Sequence, residues 1–187
     1  MKKKEPINKI ILGIDPGTVI LGYGLIKVRD GKPEMLTMGV VKLQKFADPY
    51  QKLGLIYSRI ESIIEEFKPD EVALEAPFFG KNVQSMLKLG RAQGIAMVPA
   101  IKRNIPVFEY APRKIKQSIT GNGNASKEQV ATMIGHILKM KEEPEFLDAT
   151  DGLAAALCHF YQLGRPDTSG SYKNWGEFIK KNPGRIK

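Results

Sequence analysis

The chain has 187 residues, 42% of them hydrophobic, enough for one core and for one domain as the default. Its formal net charge of +9 favours acidic partners such as nucleic acid, and its single cysteine, Cys158, excludes an internal disulfide. The apolar run from Ile10 stops at Asp15, too soon for a signal or membrane-spanning segment, so a cytoplasmic protein with no membrane partner is expected.

Residues 9–15 are Ile-rich and read as a buried strand. Residues 22–28 give a second strand. A turn over 29–33 carries the Asp30-Gly31 signal, and 34–43 give a third strand, so the three form an antiparallel meander. A helix over 50–67 follows, with Leu53, Ile56, Ile60, Ile63, Ile64 and Phe67 on one stripe. Pro69 breaks it, and Glu71–Glu75 is the fourth strand. Residues 82–103 form the longest helix. Its Gly90, Gly94, Ala92, Ala96 and Ala100 let another backbone come close, either the sheet or a second subunit. Residues 106–110 make a fifth strand, and 114–119 a short helix. The loop 121–125 is either a connector or a set of N–H groups offered to a phosphate. Ser126 and Gln129 have capping-box spacing and open a helix to about residue 140. Pro144 separates it from a last helix over 146–163.

Three antiparallel strands followed by alternating helix and strand predict an α/β fold with one mixed five-stranded sheet covered by helices. From Gly164 the character changes. Residues 165–187 carry six basic residues against Asp167 and Glu177, and read as a flexible basic tail after a domain over 1–164.

Three segments deliver acids where hydration is poor. Asp15 and Glu75 each end an apolar strand, and Asp148 and Asp151 open an apolar helix. The spacing of the last two puts them on one helix face, where plain capping would also explain them. Acids at the carboxyl ends of strands lie where open α/β sheets bind ligands. Several carboxylates in one place call for a hard divalent cation. His136 and His159 lie far apart and offer no zinc cluster; they read as core or surface residues. Four acids in a strongly basic chain point to metal-dependent phosphodiester hydrolysis on nucleic acid.

The motifs match a known family. Ile11-Leu12-Gly13-Ile14-Asp15-Pro16-Gly17-Thr18, the segment from Glu75-Ala76-Pro77-Phe78-Phe79 to Gly94, Val107 to Lys116, and Asp148-Ala149-Thr150-Asp151-Gly152-Leu153-Ala154 together resemble the Holliday-junction resolvases of the RuvC family. The resemblance implies a ribonuclease-H-like fold, a homodimer and symmetric nicking of four-way junction DNA. It implies one or two Mg²⁺ per site, with Mn²⁺ as a substitute, and cooperation with a branch-migration helicase complex. It makes Asp15, Glu75, Asp148 and Asp151 the catalytic, metal-binding carboxylates. It assigns Phe78 to stacking near opened bases, and Lys116 and Lys127 to the DNA backbone beside the active site. Lys81 joins them in a basic stripe with Lys88, Arg91, Arg113 and Lys114; a solvated face would also explain it, but its position after the catalytic strands favours phosphate contact. The chain departs from the family pattern at Ala76-Pro77 and at Gly152, where alanine is common.

Other readings share some of these residues. Asp15-Pro16-Gly17-Thr18 also resembles the phosphate loop of actin-like ATPases, but that requires a longer two-domain protein and leaves Asp148 and Asp151 unused. A ribonuclease-H-like nuclease for another substrate would use the same acids. A non-catalytic binding module would gain nothing from acids in a DNA-facing cleft.

Overall fold

The computed structural model describes residues 8–77, 82–140 and 147–163. In chain order the elements are β1 (Lys9–Asp15), β2 (Ile20–Arg29), β3 (Lys32–Lys42), α1 (Pro49–Phe67), β4 (Glu71–Glu75), α2 (Val83–Lys102), β5 (Val107–Tyr110), α3 (Pro112–Thr120), α4 (Lys127–Leu138) and α5 (Leu147–Leu163). They build one sheet in the order β3-β2-β1-β4-β5. β1 pairs antiparallel with β2 and parallel with β4, and β5 joins β4 in parallel. The expected mixed sheet with its antiparallel meander is present.

β1 is central, and helices cover both of its faces. That is why it reads as a continuous apolar run rather than an alternating one. Leu12 and Ile14 face one core cluster with α1 and α2, while Ile11 faces the other with α3, α4 and α5. α1 starts at Asp48, whose carboxylate accepts the N–H groups of Tyr50 and Gln51. The Ser126–Gln129 capping box of α4 forms in both directions.

Three boundaries differ from the sequence expectation. The turn between β2 and β3 narrows to Asp30 and Gly31, both at positive φ (49° and 75°). Pro33 therefore lies inside β3, which tolerates it because β3 is an edge strand paired only with β2. α3 begins at Pro112, where the missing N–H is harmless. α4 ends at Leu138, closed by Lys139 in the left-handed region.

α5 lies almost backbone to backbone on β1 and β2. A Cβ at Gly152 would stand 2.5 Å from Tyr23 Cα and 2.6 Å from the Gly24 nitrogen. A Cβ at Gly22 would stand 1.9 Å from the Asp148 carbonyl oxygen. Gly152 is thus glycine for lack of room, and the close approach brings the first turn of α5 to the end of β1.

The far end of α5 is held by a buried polar network. His159 Nε2–H donates to Glu71 Oε2 at 2.9 Å, and Tyr110 Oη–H donates to His159 Nδ1 at 2.6 Å. Lys9 pairs with the other Glu71 oxygen, and the Phe108 ring stacks on the imidazole at 4.3 Å. Glu71 only accepts when ionised, which fixes the neutral tautomer of His159. Burial holds the imidazole below its ordinary pKa. Against its own burial, the hydrogen bonds of Lys9 and His159 hold Glu71 below the usual carboxylate range.

Candidate active site

Asp15 and Glu75 leave the sheet side by side. Their strands are parallel neighbours with Ile14 opposite Leu74, so each acid is the next residue at the same end. Both sit on the face that α5 covers, and α5 adds Asp148 from its first turn and Asp151 three residues on. Lys127, the first residue of α4, reaches into the group. Its Nζ lies 3.0 Å from Asp148 Oδ1 and 2.6 Å from Asp151 Oδ2.

The charges act on one another. Burial, then the charges of Glu75, Asp151 and Asp148, hold Asp15 well above the usual carboxylate range; Lys127 offsets part of this. Burial and the charge of Asp151 push Glu75 up to about 7, against the pull of Lys127 and Lys116. Asp151 is raised by burial and by Asp148, although Lys127 opposes both. The Lys127 ammonium, despite its partial burial, is held above its ordinary value by the hydrogen bonds and charges of Asp151 and Asp148. Two lysines thus face four carboxylates, and burial together with the uncompensated negative charge raises Asp15, Glu75 and Asp151.

The hard oxygen donors and the excess negative charge suit a divalent cation such as Mg²⁺. Among the described residues, no three His, Cys, Asp or Glu donors converge tightly enough to grip an ion in this arrangement. The Lys127 ammonium stands where a cation would sit between Asp148 and Asp151.

The predicted basic residues divide. Lys116 lies near enough to act on Glu75 and Asp151, but its Nζ donates to the Ala125 carbonyl at 2.8 Å. It ties α3 to the loop before α4. That loop closes on itself, with Asn122 Oδ1 accepting from Asn124 N–H at 3.0 Å. Lys88 and Arg91 stand exposed on α2. Phe78, Lys81 and the tail 165–187 lie outside the described residues. The sequence reading missed the network of Glu71, His159 and Tyr110. Its only signal was a histidine and an acid within otherwise apolar elements.

A mixed sheet of this order, with acids ending its two central parallel strands and an acid pair on the helix across them, defines a ribonuclease-H-like protein. The family described as crossover junction endodeoxyribonuclease RuvC matches residues 11–159. A relative of that name from Bacteroides fragilis is 61% identical, over 98% of this chain and 99% of its own. One from Porphyromonas gingivalis is 54% identical, over 98% of this chain and 100% of its own. The structure of Thermus thermophilus RuvC in complex with a Holliday junction substrate matches with a TM-score of 0.75 and 37% identity, covering 82% of this chain and 94% of that one. This chain belongs to the RuvC family. No helix among its described residues is long and apolar enough to cross a membrane.

Proposed function

We propose that this protein is a cytoplasmic, divalent-cation-dependent endonuclease that nicks four-way DNA junctions symmetrically as a homodimer. The observation that carries this reading is the placement of Asp15 and Glu75 at the same end of two paired strands, with Asp148 and Asp151 of α5 held there by Lys127. Two relatives named as crossover junction endodeoxyribonucleases support it, as does a similar protein solved with its junction.

The four carboxylates hold Mg²⁺ or Mn²⁺, one or two ions per site. The bound cation supplies an activated water and charge relief at the scissile phosphate. Lys127 has the reach to exchange its carboxylates for a phosphate oxygen once Asp148 and Asp151 are otherwise neutralised. Lys116 keeps the α3–α4 junction in place and adds positive charge beside Glu75. Phe78 and Lys81 lie within six residues after Glu75 in sequence and contact the opened strands.

The dimer surface is α2. Ala92, Ala96 and Ala100 pack into the core, so they are not the subunit contact. Gly90 and Gly94 point into open space, in line with the exposed Val83, Leu87, Val98 and Ile101. These positions recur every three or four residues and form an apolar stripe with small residues at its centre. A two-fold enzyme matches the two opposed nicks that resolution needs. Cooperation with a branch-migration helicase completes the reading.

The test is incubation with labelled four-way junction, linear duplex and RNA–DNA hybrid, with and without Mg²⁺. Paired nicks in opposed strands of the junction alone, and only with the cation, are expected. Preferential cutting of the hybrid, or full activity after Asp15→Asn, refutes the reading.

A further inference from the structure

On the face of the sheet opposite the acids lies a cavity of about 360 Å³. It is formed by the loop that follows Asp15, the first turns of α1 and the middle of α2. Its size falls within the range of roughly 300–1,000 Å³ typical of small-molecule sites. Leu43, Ile56 and Ala92 give it a buried apolar floor.

The rim has a different chemistry. Lys52, Lys88 and Arg91 stand in the wall, and no carboxylate does. No described acid pairs with Lys88 or Arg91. Tyr50 is 75% exposed, and among the described residues no ring stacks on it. An apolar floor, an open aromatic face and a cationic mouth suit a flat base that carries phosphates. The cavity lies beside the apolar stripe of α2, one residue round the helix from Leu87 and Gly90.

The cavity is also wired to the site. Lys52 Nζ donates to the Thr18 carbonyl at 3.3 Å, and Thr18 belongs to the loop that follows Asp15. Leu43 N–H donates to the Val19 carbonyl at 2.8 Å, holding the same loop from the residue just after β3. An occupant that touches Lys52 or Val19 therefore bears on the position of Asp15.

We propose that this cavity is a nucleotide subsite that takes one unpaired base of the junction strand. Tyr50 stacks on the base, and Lys88 and Arg91 hold its flanking phosphates. A base at a strand crossover leaves its stack more readily than one inside a duplex, so the subsite fills at junctions and stays empty on linear DNA. Bases fit the floor unequally, and occupancy reaches Asp15 through the loop, so the subsite sets which junction sequences are cut fast. This inference rests on the junction-nicking reading above.

The test uses the full chain with Asp151→Asn, bound to four-way junctions carrying 2-aminopurine at successive positions around the crossover. One position is expected to change its emission on binding. Adding Tyr50→Ala or Arg91→Ala should abolish that response alone; both side chains are exposed, so the fold is retained. With Asp151 restored, the same changes should shrink the rate differences among junction sequences by about tenfold, the scale of losing one stacked base. A junction complex with no position-specific response, or an unchanged sequence preference in the Tyr50 and Arg91 variants, overturns the subsite alone. A parent protein that fails to bind the junction overturns the functional reading and the subsite with it. A change of oligomeric state in Arg91→Ala, without a change in the probe, assigns the cavity to the subunit contact and overturns the proposal.

Discussion

Glu75→Gln should stabilise the metal-free protein at high pH and leave it nearly unchanged at low pH. The fold holds this carboxyl at about 7 instead of 4.5. Between those values the native state keeps a proton that the unfolded chain has released, so its contribution to stability falls as pH rises through the window. The whole shift corresponds to roughly 3 kcal/mol at about 1.4 kcal/mol per unit. Solvent access to the site reduces this, and a gain of about 1–3 kcal/mol is expected for the glutamine at pH 8. The assay is urea unfolding of both proteins with chelator at pH 5 and pH 8. The comparison is between the two proteins, because His159 and Glu71 titrate with the opposite slope: their depressed pKa values cost stability as pH falls. Mg²⁺ should then reverse the order at pH 8, since only the parent keeps its full set of acids. An equal difference at both pH values, or a parent more stable than the variant at pH 8 without metal, refutes the electrostatic reasoning.

Lys127→Ala should lower the single-turnover rate on a saturated junction by roughly 10²-fold. The same variant should bind Mg²⁺ more tightly without DNA, by calorimetry, because the ammonium between Asp148 and Asp151 is gone. Gly94→Leu costs the single chain nothing in packing, since the space around it is open. It should shift sedimentation toward monomer and cut paired nicking together. Gly152→Ala drives a methyl into the Tyr23 backbone and should cost about 1–3 kcal/mol in denaturant unfolding. It should also raise the Mg²⁺ concentration needed for half-maximal cleavage, because α5 carries Asp148 and Asp151 away from Asp15.

Asp15 and Glu75 were legible in the sequence because each breaks a local rule, whereas Asp148 and Asp151 open a helix where acids are ordinary. Asp15 and Glu75 end apolar strands, and parallel pairing of those strands makes the two acids neighbours. The hairpin ends were not legible, because Pro33 ordinarily stops a strand and only an edge position tolerates it. The small residues of α2 looked alike in sequence. Ala92, Ala96 and Ala100 recur on one face, and Gly90 and Gly94 on another, but only docking on the sheet shows which face is covered. The network at the far end of α5 was invisible, because its bonds join residues 49 and 88 positions apart. Lys127 looked like a phosphate contact, while its present partners are the acids themselves.

α5 is the last described element, and it completes one of the two core clusters. A chain leaves the ribosome from its N-terminal end, so β1 and β4 exist well before the helix that closes over them. Until then β1 and β2 lack the helix that packs directly on them, and Asp15 and Glu75 lack their two partners. An unfinished chain therefore lacks half of the acidic cluster. The same dependence works in reverse: a cut that frees α5 opens one core cluster and takes Asp148 and Asp151 away together.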